Sequence, residues 1–117
     1  MLQRLSRNWI ALLLVLFACG ASEFDLTLEN GTSAPIDDAH VRFNGFTSLG
    51  GAFDSGIRKT QGGIIPSLPA EITVEWRNAE GKPYSRRITV PEDVRSASDV
   101  LVRINQDGSV TVASLSD

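Results

Sequence analysis

The chain has 117 residues, 42% hydrophobic and 21% charged, the proportions of a globular domain rather than a disordered segment. Its formal net charge of −3 speaks against nucleic acid, which needs a basic footprint, and no polybasic run is present to hold an anionic membrane. A single cysteine excludes an internal disulfide, so the fold must be held by packing alone.

Met1–Asn8 carries Arg4 and Arg7 and no acid, and Trp9–Ala18 is an unbroken apolar run, WIALLLVLFA. A helix of that length spans about 15 Å, half of a hydrocarbon core about 30 Å thick. The run is too short to cross a membrane and fits the basic and apolar regions of a secretory signal, so residues 1–18 are set aside as a signal peptide. Taking Arg4 and Arg7 from the 11 basic residues leaves 9 against 14 acids, a net of −5 for the remainder.

The run closes on Leu16-Phe17-Ala18-Cys19-Gly20. This segment resembles the lipobox of bacterial lipoproteins: an aliphatic residue, a variable one, a small one, then cysteine. The resemblance implies cleavage between Ala18 and Cys19, a diacylglycerol group on the Cys19 thiol and, in many bacteria, a further acyl chain on the new amine. It therefore implies export and a lipid anchor in the cell envelope. Gly20, standing where aspartate would favour inner-membrane retention, points to the periplasmic face of the outer membrane. Acyl chains contribute about 0.8 kcal/mol per buried CH₂, so two or more anchor stably where one does not. A plain signal peptide cut at Ala18 or Ala21 and a short uncleaved anchor are the other readings. Beyond the covalent lipid no cofactor is implied. Residues 19–23 become a lipidated tether, and four or five extended residues reach roughly 15 Å, which keeps the domain on the membrane surface.

Residues 24–117 read as one domain dominated by period-2 alternation. Phe24, Leu26 and Leu28 alternate with Asp25, Thr27 and Glu29; Val41 and Phe43 with His40 and Arg42; Ile72, Val74 and Trp76 with Glu71, Thr73, Glu75 and Arg77. Ile88 and Val90, then Val100, Val102 and Ile104, then Val110 and Val112 continue the pattern. Each segment has one apolar and one wet face, as in antiparallel sheets. Asn30-Gly31 reads as a turn. Asn78-Ala79-Glu80-Gly81 and Asn105-Gln106-Asp107-Gly108 both place Asn first and Gly fourth, which suits a type I turn closed by a left-handed glycine. The pattern pairs 71–77 with 84–90 and 99–105 with 109–113. Pro91 starts at most one helical turn, and the link 91–98 suits a crossing between sheets. The expected fold is all-β: a small two-layer antiparallel β-sandwich, immunoglobulin-like, of six or seven strands.

Asn44–Gly63 breaks the alternation with six glycines, and a connection of this length is often functional. One reading makes 51–57 a short edge strand with Phe46, Leu49, Phe53 and Ile57 packed on the core. The other makes the stretch a binding loop that presents Phe46, Leu49, Phe53 and Arg58 to an envelope protein.

No constellation singles out catalysis. In Gly51–Thr60 the lysine and hydroxyl are separated from the second glycine by Ile57 and Arg58, so a phosphate-binding loop fails. His40, the single histidine, alternates with core positions and faces solvent. There is no G-x-S-x-G elbow to pair with it. With Asp37 and Asp38 it makes a thin ligand set, since adjacent side chains diverge on an extended backbone, and no metal is expected. Glu71, Glu75, Arg77, Arg86 and Arg87 read as cross-strand charge pairs on a solvated face. The expectation is a non-enzymatic, membrane-anchored binding or structural module. An inhibitor or immunity-type lipoprotein that blocks a hydrolase, and a carboxylate-dependent hydrolase, are the alternatives.

Overall fold

The computed structural model describes residues 23–115, apart from positions 49 and 66. Ala18 and Cys19, and Leu49 of the glycine-rich stretch, lie outside the described residues. In chain order the strands are β1 (Phe24–Gly31), β2 (Asp37–Phe43), β3 (Phe46–Thr47), β4 (Arg58–Ile64), β5 (Glu71–Arg77) and β6 (Pro83–Thr89). A single helical turn, α1 (Glu92–Arg95), then leads to β7 (Asp99–Asn105) and β8 (Val110–Ser114). They build two four-stranded sheets, β4-β1-β7-β8 and β3-β2-β5-β6, packed as a sandwich.

The two expected hairpins are present, with Trp76 opposite Tyr84 and Val102 opposite Val112. Their turns are built alike. Gly81 donates its N–H to Asn78 and Gly108 donates to Asn105, both glycines with positive φ. The link 91–98 crosses from the second sheet to the first and holds the one helical turn.

The described strands number eight, two of them inside the glycine-rich stretch. Asn44 and Gly45, with φ of 46° and 76°, form a two-residue hairpin joining β2 to β3. Asn-Gly at such a turn supplies the left-handed conformations it needs. The edge strand is 58–64 rather than 51–57, which contributes a single bridge, Phe53 to Ile36. In one respect the connectivity departs from the immunoglobulin order, where the first strand neighbours the second. Here β1 lies between β4 and β7 and runs parallel to β7.

Asn30 lies where the chain leaves β1 for the second sheet. It is not an exposed turn residue but the fully buried end of β1. Its side-chain amide donates to the carbonyls of Ala34 (2.8 Å) and Phe53 (3.0 Å), and its side-chain oxygen accepts from the Thr32 N–H. These bonds bend the chain out of the first sheet and into the second. At Gly31 a Cβ would sit 2.8 Å from the Ile104 carbonyl oxygen, so no larger residue fits beside β7.

The core lies between the sheets. Phe24, Leu26 and Leu28 with Val100, Val102 and Ile104 face Ala39, Val41 and Phe43 with Ile72, Val74 and Trp76. The outer face of β1 is not wet as its alternation suggests. Thr27 and Glu29 are buried there because β1 is central and its neighbours cover it. Glu29 pairs with Arg58 of β4 on one side and Arg103 of β7 on the other.

The sandwich has two distinct ends. β1 begins at the near end, beside Ile64, Asp99, Leu115 and the α1 loop. The segment 32–36 and the turns 78–81 and 105–108 gather at the far end.

Candidate functional site

The site with the most chemistry is on the outer face of the second sheet. β2, β5 and β6 bring His40, Glu75 and Ser85 into one cross-strand row. A bulge in β2 shapes the neighbouring row. Pairing slips between Asp37 and His40, and Asp38 takes a φ of 51°. Both aspartates are exposed as a result. Asp38 turns its carboxylate to Arg77 (3.3 Å) and its carbonyl oxygen to His40 Nδ1 (2.8 Å). A carbonyl can only accept, so Nδ1 donates in this bond, and the Glu75 carboxylate likewise calls for a donor at Nε2.

His40 Nε2 lies 3.0 Å from Glu75 Oε1, and Arg42 Nε lies 3.2 Å from the same oxygen. Hydrogen bonds from Arg42 and His40, with their charges, outweigh burial and hold the Glu75 carboxyl below its ordinary value. Beside these pairs opens a groove of about 450 Å³, lined by Asp38, His40, Glu75, Arg77, Tyr84 and Ser85. On the opposite, inward face of the same strands Tyr84 stacks on Trp76, with ring centroids 5.3 Å apart.

The arrangement suits ionic recognition better than proton transfer. A serine nucleophile needs an imidazole next to its hydroxyl. In this row the carboxylate of Glu75 stands between Ser85 and His40, and a carboxylate held ionised is a weak base. Among the described residues no three His, Cys, Asp or Glu side chains are grouped to hold a metal ion.

The residues proposed as a single binding loop are dispersed. Phe53 is 1% exposed and belongs to the core, so it cannot be offered to a partner. Phe46 is half-buried against Phe43, with centroids 5.1 Å apart. Arg58 lies on β4, paired with Glu29. His40 is not a free solvent-facing ring, since both nitrogens are engaged. Of the charges assigned to the wet face, Arg87 pairs with Glu71 (2.8 Å) and Arg77 with Asp38.

Arg86 departs from that assignment. It is in register with Val74, so it points inward from the edge strand, its guanidinium 5.5 Å from the Tyr84 ring and 5.9 Å from Trp76. It also donates to the Gly108 carbonyl across the mouth of the sandwich (3.1 Å). Alternation from Ile88 through Arg86 to Tyr84 is the signal in the sequence that places it inside. The bulge that assembles Asp38, His40 and Arg77 leaves no comparable signal.

No family model and no curated protein matches the chain. A solved structure does: the NMR structure of a protein from Eubacterium rectale, with a TM-score of 0.58 and 15% identity over 84% of this chain and 93% of that one. At that identity the likeness is one of fold, the small β-sandwich.

Proposed function

We propose that this chain is a lipid-anchored cell-envelope protein whose sandwich is a non-enzymatic binding module. The proposed recognition surface is the outer face of the second sheet. The observation that carries this reading is the groove itself, which gathers the preformed pairs His40–Glu75 and Asp38–Arg77 along one exposed face. Preformed pairs of both signs suit a partner that is itself polar and of mixed charge, such as an envelope protein. The anchoring half of the reading rests on Leu16-Phe17-Ala18-Cys19.

Two experiments test the halves separately. Cys19→Ala is expected to move the protein from the membrane to the soluble fraction on cell fractionation, and unchanged membrane association overturns the anchor. In-cell photo-crosslinking from Ser85, in the groove, is compared with crosslinking from Glu80, in an exposed turn at the far end. A dominant product from Ser85 and none from Glu80 is the expected outcome. Equal background from both positions overturns the groove as a recognition surface.

A further inference from the structure

The near end of the sandwich carries features that the binding module does not use. Three large hydrophobic residues are conspicuously exposed among those described: Ile65 at 61%, Leu115 at 44% and Ile57 at 43%. Ile57 is at the far end, bonded to Asn30. The other two share the near end. Ile65 follows Ile64, which pairs with Phe24 where β1 begins, and Leu115 donates its N–H to Asp99 (2.9 Å). With sheet order β4-β1-β7-β8, Ile65 leaves one edge strand and Leu115 the other, so the two flank the start of β1.

Between them opens a cleft of about 420 Å³ lined by Glu23, Ser67, Arg95, Ser96 and Ser98. It offers one guanidinium, three hydroxyl-bearing residues and one carboxylate. Among the described residues no carboxylate pairs with Arg95. Cys19 stands four residues before Glu23, a reach of roughly 15 Å at full extension. A lipid on Cys19 therefore brings this end, and not the far end, against the bilayer.

We propose that the near end is a bilayer-docking surface. Ile65 and Leu115 enter the headgroup boundary, and the cleft of Arg95, the three serines and Glu23 accepts a zwitterionic phospholipid headgroup, its phosphate toward Arg95 and its ammonium toward Glu23. The inference rests on the lipid anchor proposed above. Tethering makes weak contacts sufficient, because the surface is present at high effective concentration. Asp25, Glu92, Asp93 and Asp99 lie at the same end and repel an anionic surface, which sets the choice of a zwitterionic one. Docking in this way fixes the orientation of the domain and turns the turns 78–81 and 105–108 toward the periplasm.

The test uses the full-length lipidated protein in vesicles of phosphatidylethanolamine and phosphatidylcholine. Cys19 is the single native cysteine and is consumed by the lipid, so Ile65→Cys, Leu115→Cys and Glu80→Cys each supply one thiol for a nitroxide label. The expected result is that labels at 65 and 115 are several-fold more accessible to oxygen than to a water-soluble nickel complex, while the label at 80 shows the reverse. Replacing part of the lipid with phosphatidylglycerol is expected to reduce the contrast, as is Arg95→Glu. Flotation of the unlabelled protein reads the anchor alone. If the protein floats and positions 65 and 115 are as wet as 80, the docking surface is overturned and the anchor stands. If it does not float, the anchor and this inference fall together.

Discussion

At the scale of single residues, two buried polar groups organise the first sheet. All the hydrogen-bonding capacity of the Asn30 side chain is used: it donates to the carbonyls of Ala34 and Phe53 and accepts from the N–H and hydroxyl of Thr32. Asn30→Ala is expected to lower stability by about 1–2 kcal/mol, measured by urea unfolding, because the four hydrogen bonds that tie the end of β1 to 32–34 and to Phe53 are lost together. Glu29 is the second. Burial alone pushes its carboxyl up, but the hydrogen bonds and charges of Arg58 and Arg103 prevail and hold it below the ordinary value of 4.5. A carboxyl depressed on folding stabilises fully above its unfolded pKa, and that stabilisation is lost as pH falls through the folded value. Glu29→Gln should therefore lower stability at neutral pH by about 1–2 kcal/mol, discounted because both arginines are partly exposed, and flatten the acid limb of the stability curve below about pH 5. An acid limb unchanged in the variant would assign the pH dependence elsewhere, with Glu75 the next carboxylate to test.

At the scale of elements, the edge strands depart furthest from the period-2 rule, and for a common reason. β4 reads Arg-Lys-Thr-Gln-Gly-Gly-Ile, and its inward positions opposite Leu28 and Leu26 are Lys59 and Gln61. Lys59 lies 4.5 Å above the Phe53 ring and donates to the Ala52 carbonyl (2.6 Å), as Arg86 of β6 lies over Tyr84 and Trp76. The two cations close the rims of the sandwich over aromatic rings. An inward charge on an edge also discourages pairing with another chain. A strand whose inward residues are polar, as Lys59 and Gln61 are, has no apolar face to detect, which is why 58–64 is not legible as a strand. Arg86→Ala is expected to cost about 1 kcal/mol and to change the fluorescence of Trp76, the single tryptophan beyond Trp9. Unaltered emission and stability would mean that the guanidinium does not rest on the rings in solution.

At the scale of the whole molecule, the domain is built from many medium-sized side chains, and its largest fully buried one is Phe53. Phe53→Ala should cost about 3–5 kcal/mol, a large share of the 5–15 kcal/mol typical of a domain. The expected signature is a lowered unfolding midpoint for residues 20–117 with crosslinking at Ser85 retained in the folded fraction. Lost crosslinking at full stability would return Phe53 to a recognition role. The near and far ends of the sandwich belong to this scale too, since they arise from strand direction and from where β1 begins.

The sequence by itself determined the elements whose inward residues are all apolar and whose turns carry their own chemistry. Alternation at 24–28, 72–76 and 100–104 and the paired Asn-x-x-Gly turns made the class and both hairpins readable, because side-chain period and backbone handedness are local properties. The lipobox resemblance is likewise a matter of neighbouring residues. Tertiary structure decided what depends on neighbours distant in the chain. β1 is central only because β4 and β7 flank it, which buries Glu29 between two arginines. Phe53 lies in the core, its backbone bridged to Ile36 and its carbonyl bonded to Asn30, 23 positions earlier. His40, Asp38 and Arg77 meet because a bulge in β2 shifts the register against β5, and a register shift exists only between paired strands.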